Sequence, residues 1–474
     1  MMEEGALRND MVAGDLIGQI DAICHPRSVA VVGVPKGMKA GKLFLMALLE
    51  QGFAGRIYPV HPEAKEIDGL AAYPSVSAIP GIVDLAIILV SQSQTRAVLR
   101  ECAAKGVKGA VLFTSGYGET GTAEGRKEEE ELTRIARESG MRLIGPNCMG
   151  LYVPASGLSF FPGLPREPGP IGIISHSGSL ANILCYMAPQ RGLRFSTVAS
   201  LGNECDLTGT DFLRYLEQDE ETKVIGVYLE SVTQGDAFVR VLRETSLKKP
   251  VVLWKVGLTE EGSRAAASHT GALALSGPLW ENAVRQTGAV PVTGFEEWVD
   301  HLTGCSMLPP FLGDRMAIIS GPGGLAVSAA DACGQEELSL AELAPETRRT
   351  LGEFLPPTGT SFRNPVDVGL TASFDMNLYI QAARTVAADP GVDAVVVCGI
   401  GLSPEANRLY ADAMIAARHD FGKPFLIVNI PGLDQEVPPL FLNAGIPFFE
   451  SVERAMAVYA GLRRYQAWRR RRGA

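Results

Sequence analysis

The chain has 474 residues, 46% hydrophobic and 20% charged, a globular balance that excludes a disordered or fibrous protein and leaves room for two to four domains. Its 43 basic and 53 acidic residues give a formal charge of −10, which disfavours nucleic acid as a partner. No apolar run nears the ~18–20 residues that span a bilayer, and the start MMEEGALRND has no signal-peptide order, so a soluble, cytoplasmic protein with no membrane contact is expected.

Along the chain, three blocks repeat a short apolar strand, a Gly/Pro/Ser/Asn break and an amphipathic stretch. That rhythm predicts an α/β fold of parallel sheets flanked by helices. In the first block, strands are expected at 28–33, 56–60, 84–90, 110–114 and 142–144, with helices such as 42–51 and 95–105 between them. Near-continuous Val, Ile, Leu and Ala predict burial on both faces. The Pro- and Gly-rich stretch from about 153 to 170 reads as a linker. The second block has expected strands at 171–175, 196–201, 224–230 and 251–255. The third follows Leu308-Pro309-Pro310, with strands at 316–320, 394–398, 425–430 and 447–449. A helix from about Val452 closes the chain. Arg463, Arg464 and Arg469 to Arg472 form the one cationic cluster, read as favourable charge at that helix's C-terminal end. Domains are drawn at 1–153, 154–308 and 309–474.

Eight cysteines, Cys24, Cys102, Cys148, Cys185, Cys205, Cys305, Cys333 and Cys398, are isolated, without CxxC or zinc spacing. They read as reduced, buried apolar residues, and no metal site is expected.

Four features could carry chemistry. The break Gly33-Val34-Pro35-Lys36-Gly37-Met38-Lys39-Ala40-Gly41 lies between a strand and a helix. Its small residues let backbone N–H groups approach a phosphate, and Lys36, Lys39 and Lys42 add charge. It is not GxGxxG, and a tight turn after a first strand explains it equally well. The break Ser175-His176-Ser177-Gly178-Ser179-Leu180 precedes another helix. Capping explains its serines, and the helix start could hold an anion, but neither explains a bulky His in the turn. Residues 257–276, GLTEEGSRAAASHTGALALS, show no strand or amphipathic pattern and read as a long irregular loop. Small residues surround His269 there and leave its ring open to a large reactant; a neutral imidazole can accept a phosphoryl group, although a lone histidine taken without context is more often structural. Glu230 ends the strand VIGVYLE at a carboxyl edge, where it could accept an imidazole N–H or simply be solvated.

The run GSRAAASHTGALA closely resembles the phosphohistidine loop of NDP-forming acyl-CoA synthetases, the ADP-forming acetyl-CoA synthetases of the succinyl-CoA synthetase superfamily. SVAVVG, GRIYPVHP, FTSGYGE and GPNCMGL resemble the CoA-binding domain of that family. GPIGIISHSGSLA and SLGNECDLTGTDFLRYL resemble the ligase domain that follows, and AIISGPGGLAVSAADAC and LPPTGTSFRNPVDVG a third, ligase-associated domain. The resemblance implies a Rossmann-like domain followed by two flavodoxin-like ones. It implies a relay in which acyl-CoA and phosphate give acyl phosphate, which phosphorylates His269, which passes the group to ADP; run in reverse, acid, CoA and ATP give acyl-CoA. Glu230 matches the carboxylate that orients the histidine. Ser175, Ser177, Gly178 and Ser179 would hold phosphate. Gly33, Val34, Pro35, Lys36, Gly37, Lys42, Pro62, Lys65, Ser115, Gly116 and Glu119 would line the CoA site, with Asn147 and His176 near the acyl substrate. The family also uses an ATP-grasp module, and no such block or Walker loop is seen. The chain is therefore expected to be an α subunit in a hetero-oligomer or with a second copy of itself, its ATP or ADP and Mg2+ held by a separate β subunit. Three positions depart from the family's pattern: Val34-Pro35-Lys36, His176 and Leu275. Two other readings are a non-catalytic CoA or acyl-CoA sensor descended from such a subunit, and a nicotinamide dehydrogenase, which lacks its glycine fingerprint.

Overall fold

The computed structural model describes residues 15–270, 277–310, 312–399, 401–429 and 436–473, the side chains of 266–270, 371 and 373 excepted. The described residues pack as two units, one within 1–189 and 194–293 and one within 190–193 and 294–474.

The described residues of the first unit form two large sheets and a two-stranded antiparallel hairpin, Glu66–Ile67 with Leu70–Ala71. β1 (Ser28–Val32), β2 (Arg56–Val60), β3 (Leu85–Ile88), β4 (Gly109–Leu112) and β5 (Arg142–Ile144) are all parallel, in the order β2-β1-β3-β4-β5. Every residue of β1, β3 and β4 is buried, as a sheet covered on both faces requires. The crossovers include α1 (Ala40–Gln51), α2 (Gln92–Lys105) and α3 (Ala123–Ser139). Each ends on a left-handed glycine, Gly52, Gly106 and Gly140. The chain leaves β1 to one side for β2 and later returns to the other side for β3. The loops after β1 and β3 therefore diverge and open a crevice at the carboxyl edge.

The second sheet adds β6 (Gly150–Tyr152), β7 (Pro168–Ser175), β8 (Phe195–Ser200), β9 (Val224–Leu229), β10 (Val251–Lys255) and β11 (Val290–Val292). Their order is β11-β10-β9-β7-β8-β6, parallel except for β6 against β8. Its reversal point lies between β7 and β9. The helices of this sheet include α4 (Gly178–Met187), α5 (Gly209–Gln218), α6 (Gly235–Lys248) and α7 (Glu260–Thr270).

Two expectations are corrected here. The stretch 153–170 is packed structure rather than a linker: Leu158, Phe160 and Leu164 are buried, and the Tyr152 hydroxyl donates to the Pro165 carbonyl. Apolar side chains between its prolines pack it onto its neighbours: Phe160 meets the Tyr152 ring, and Gln51 Nε2 donates to the Leu164 carbonyl at 2.8 Å. Nor is 257–276 irregular throughout, because 260–270 is helical. Ala265 to Ala267 favour helix without marking a face, Glu260 and Glu261 sit in the first turn, and the Thr259 hydroxyl caps the Gly262 N–H at 3.0 Å.

The two sheets are joined along β5. Asp206, after β8, accepts from Arg142 Nε at 2.8 Å and Nη2 at 3.1 Å, and from the Leu143 N–H at 3.0 Å. The loop then follows the β5 exit through Cys205 N–H to Gly145 O and Asn203 N–H to Pro146 O, both 3.0 Å. Residues 201–207 are thereby held beside residues 143–147, between the two carboxyl edges.

In the second unit, Arg315–Ser320, Ala394–Cys398, Phe425–Val428 and Phe448–Phe449 lie side by side in a parallel sheet, Phe448–Phe449 at its edge, with Ser339–Leu340 and Val366–Asp367 beside Arg315–Ser320. Helix Phe295–Met307, which the sequence reading placed in the second domain, packs here against helix Val452–Arg470. Asp300 anchors it: its buried carboxylate takes Arg454 Nη2 at 2.9 Å and also Arg454 Nε and Arg191. In the arginine-rich final helix, Arg463 pairs with Asp314 at 3.0 Å and Arg464 with Glu336 at 2.9 Å, and Arg472 lies over Trp468. The cysteines are free; Cys205 and Cys305 are half-buried and the other six buried.

Candidate active site

At the first sheet's carboxyl edge, Gly33 has φ +90°, and a Cβ there would lie 2.8 Å from Val90 Cγ1, so glycine is required for the turn out of β1. Val34 is buried, so only its backbone can face a ligand; Pro35 is half-buried, while Lys36 and Gly37 are exposed. Helix α1 begins after Lys39 with no side-chain cap, which leaves its first N–H groups for solvent or an anion. That is the donor set a diphosphate needs, and the glycine turn gives it room. Two of the expected cations are already engaged: Lys42, buried, meets Asp68 Oδ1 at 2.7 Å, and Lys36 meets Glu63 at 3.4 Å. Pro62 and Lys65 are exposed on the loop after β2, which His61 Nδ1 shapes by accepting from the Glu63 and Ala64 N–H groups at 3.1 Å. After β4, Ser115 is exposed, and Gly116, at φ +112°, starts a turn closed by Glu119, which accepts from the Gly116 and Tyr117 N–H groups. After β5 comes Asn147, left-handed at φ +58°. The fold thus brings all these residues to the loops of one sheet edge.

Asn203 joins these loops. Its Nδ2 donates to Glu119 Oε2 at 2.5 Å and to Glu129 Oε2 at 2.7 Å, and its Oδ1 accepts from Asn147 Nδ2 at 3.4 Å. Burial, with the Glu119 charge beside it, holds the Glu129 carboxyl above the usual carboxylate range, although Asn203 and the Gly118 N–H oppose this.

At the second sheet's edge, Ser175 ends β7 and its hydroxyl donates to Ser177 O at 2.8 Å. Ser177 caps α4, accepting from the Leu180 N–H at 3.3 Å, and lies 3.3 Å from the Ser179 hydroxyl. His176 is buried: its side chain is 3% exposed, and Nδ1 accepts from the Glu230 N–H at 3.2 Å, across the reversal point. Glu230 itself is half-buried, with its carbonyl bonded to Lys255 Nζ at 2.9 Å and its Oε1 to the Tyr228 hydroxyl at 3.3 Å. Burial lowers the Lys255 pKa, and it raises that of Tyr228, where Glu230 adds to the effect.

His269 lies in the last turn of α7; its side chain, and residues 271–276 with Leu275, are outside the described residues. The α7 backbone packs against the Gly118–Thr120 turn, the segment that carries Glu119. Among the described residues no three His, Cys, Asp or Glu side chains gather as a metal site would require.

Three family models match in the order of the sheets: a CoA binding domain over 27–154, a succinyl-CoA ligase like flavodoxin domain over 168–304 and a ligase-CoA domain over 316–407. The chain is 36% identical over 450 residues to the Pyrococcus furiosus acetate–CoA ligase (ADP-forming) II subunit alpha, covering 93% of this chain and 97% of that one. The chain belongs to the ADP-forming acyl-CoA ligase family. A 4-hydroxybutyrate–CoA ligase (ADP-forming) of Nitrosopumilus maritimus is 32% identical, over 94% of this chain and 64% of its own length. The dinucleotide-forming acetyl-coenzyme A synthetase 1 of Ca. Korarchaeum cryptofilum, solved with phosphate and ADP, superposes with a TM-score of 0.86 at 33% identity, over 96% of this chain and 99% of that one.

For a ligase of this family, four polar residues belong to the candidate site that sequence reasoning did not single out: Asn203, Glu204, Tyr228 and Lys255. Asn203 and Glu204 lie inside the quoted motif SLGNECDLTGTDFLRYL, and Tyr228 and Lys255 inside apolar strands. Their partners are separated by up to 84 residues in sequence, as for Asn203 and Glu119.

Proposed function

We propose that this chain is the α subunit of an ADP-forming acyl-CoA synthetase, acting with a separate nucleotide-binding β subunit of the ATP-grasp type. The carboxyl edge of the first sheet takes CoA, its diphosphate at the start of α1 and its thiol end near Asn147. Phosphate attacks the acyl-CoA carbonyl; the C–S bond breaks, the thiolate leaves with a proton, and acyl phosphate forms. An imidazole nitrogen of His269 then attacks phosphorus, the P–O bond to the acyl group breaks, and the carboxylate leaves. Glu230, fixed by His176, Lys255 and Tyr228, accepts the other imidazole N–H and supports the charge that develops on the ring. The phosphoryl group passes to ADP on the β subunit, where Mg2+ would screen the phosphates. The Ser175–Ser179 turn steadies phosphate during both transfers.

The observation that carries this reading is the packing of α7 on the Gly118–Thr120 turn, which sets the His269 segment beside the loops able to seat CoA. Co-expression with a family β subunit is the test. Addition of a carboxylic acid, CoA and ATP should yield ADP and phosphate in equal amounts, and His269→Asn should abolish this while CoA still binds. ADP release that persists in His269→Asn would remove the histidine from the reaction. Failure to bind CoA would remove the chain from acyl transfer altogether.

A further inference from the structure

The His176 ring has an environment that neither capping nor phosphate binding accounts for. Its backbone N–H donates to Tyr228 O at 3.2 Å, which fixes it to β9. Because Nδ1 accepts the Glu230 N–H, the ring in this geometry is neutral and carries its proton on Nε2. That nitrogen faces Glu204 Oε1 at 3.1 Å, a close contact without hydrogen-bond alignment. Glu204 is held in turn: its backbone is left-handed at φ +56°, and the same Oε1 accepts the Gly209 N–H at 2.6 Å, in the first turn of α5. A buried imidazole thus joins the loop after β8 to the end of β9.

We propose that His176 is a positioning residue for the phosphoryl transfer. It sets the main chain of Glu230, and so the carboxylate that serves His269, and it is neither a nucleophile nor an acyl-substrate contact. This rests on the functional reading above. The contacts that hold Glu230 include its N–H to His176, its carbonyl to Lys255 and its carboxylate to Tyr228. Loss of the first frees the strand end at the residue whose side chain must meet the loop histidine. Groups that position a catalytic side chain in this way commonly change rates about 10–100-fold when removed.

The clamp also titrates. The charged groups facing the ring are Glu204, Glu230 and Lys255. Burial alone would lower the ring's pKa, but the Glu204 carboxylate, helped by Glu230, outweighs it and leaves the net shift upward. As pH falls through that value, Nδ1 gains a proton and can no longer accept the Glu230 N–H.

Asn places an amide oxygen near the Nδ1 position, whereas Gln reaches only the Nε2 position. In single-turnover labelling of His269 with ATP and the β subunit, His176→Gln and His176→Ala should be about 10–100-fold slower than wild type, and His176→Asn within about threefold. Wild type should lose rate on the acid side with an inflection above ~6.5, the ordinary histidine value, and His176→Asn should lack that inflection. Equal rates in the Gln and Asn variants, or an unchanged acid limb in His176→Asn, would overturn the proposal. A readout free of activity accompanies this: 15N spectra of histidine-labelled protein, assigned by the His176→Asn difference, should show the Nε2–H tautomer above the ring's pKa. An Nδ1–H tautomer would refute the clamp, even if His269 is never phosphorylated and only the functional reading fails.

Discussion

Replacing Asn203 by Ala tests how the two sheet edges are held together. One amide nitrogen bridges Glu119 and Glu129, at 2.5 and 2.7 Å, so the two carboxylate oxygens lie at most about 5 Å apart. Each bond to a charged acceptor contributes about 1.5 kcal/mol net. Two such bonds give about 3 kcal/mol, and because Asn203 is half-buried, water recovers part of it, so a loss of about 2 kcal/mol is expected at pH 8. Without the amide, two charges at about 5 Å repel by about 3 kcal/mol at an effective dielectric constant near 20, which favours protonation of one of them. Glu129, already raised by burial, is the one that takes the proton. A carboxyl raised in the folded state contributes stability at low pH and loses it as pH rises through its folded value. The penalty of Asn203→Ala should therefore shrink as pH falls, because a protonated Glu129 can itself donate to Glu119. Urea unfolding of the first unit at pH 8 and pH 5 measures this. Equal penalties at the two pH values, or one below about 0.5 kcal/mol at pH 8, would refute the bridge.

Glu129→Gln should stabilise the chain at pH 8 and do nothing near pH 4, where the native carboxyl is already neutral; a pH-independent effect in unfolding curves would contradict its buried, charge-raised state. Asp300→Ala leaves the Arg454 and Arg191 guanidiniums around an empty site, and should cost about 3–5 kcal/mol in chemical denaturation of the second unit. A cost below about 1 kcal/mol would show that the cluster is a solvated surface network.

What the sequence discloses and what it conceals separate along physical lines. Strands buried on both faces are continuous apolar runs, so SVAVV, VIGVYL and AVVVC are read directly. The loops after them carry Gly, Ser and Asn because the backbone must turn sharply there, and these mark Gly33, Gly116 and Asn147 as candidate site residues. Helix α7 is hidden because small residues give it no apolar stripe, although Ala is the strongest helix former. β6 is hidden because three residues are too few to show a period. His176 is conspicuous as a bulky residue in a turn, but its partners are not: Glu204 and Glu230 reach it only when two crossovers bring separate strand ends together. Lys36 and Lys42 show contacts that the sequence conceals. A lysine beside a glycine-rich turn suggests phosphate, yet both meet carboxylates here.

The central claim is that one imidazole of this chain carries the phosphoryl group. Labelling with γ-32P ATP in the presence of the β subunit, followed by alkaline proteolysis and peptide mapping, addresses it directly. The account predicts acid-labile, alkali-stable label on the peptide containing His269, removed by a carboxylic acid with CoA, and absent in His269→Asn with the other five histidines intact. Label on another residue, or label that survives acid, would contradict it.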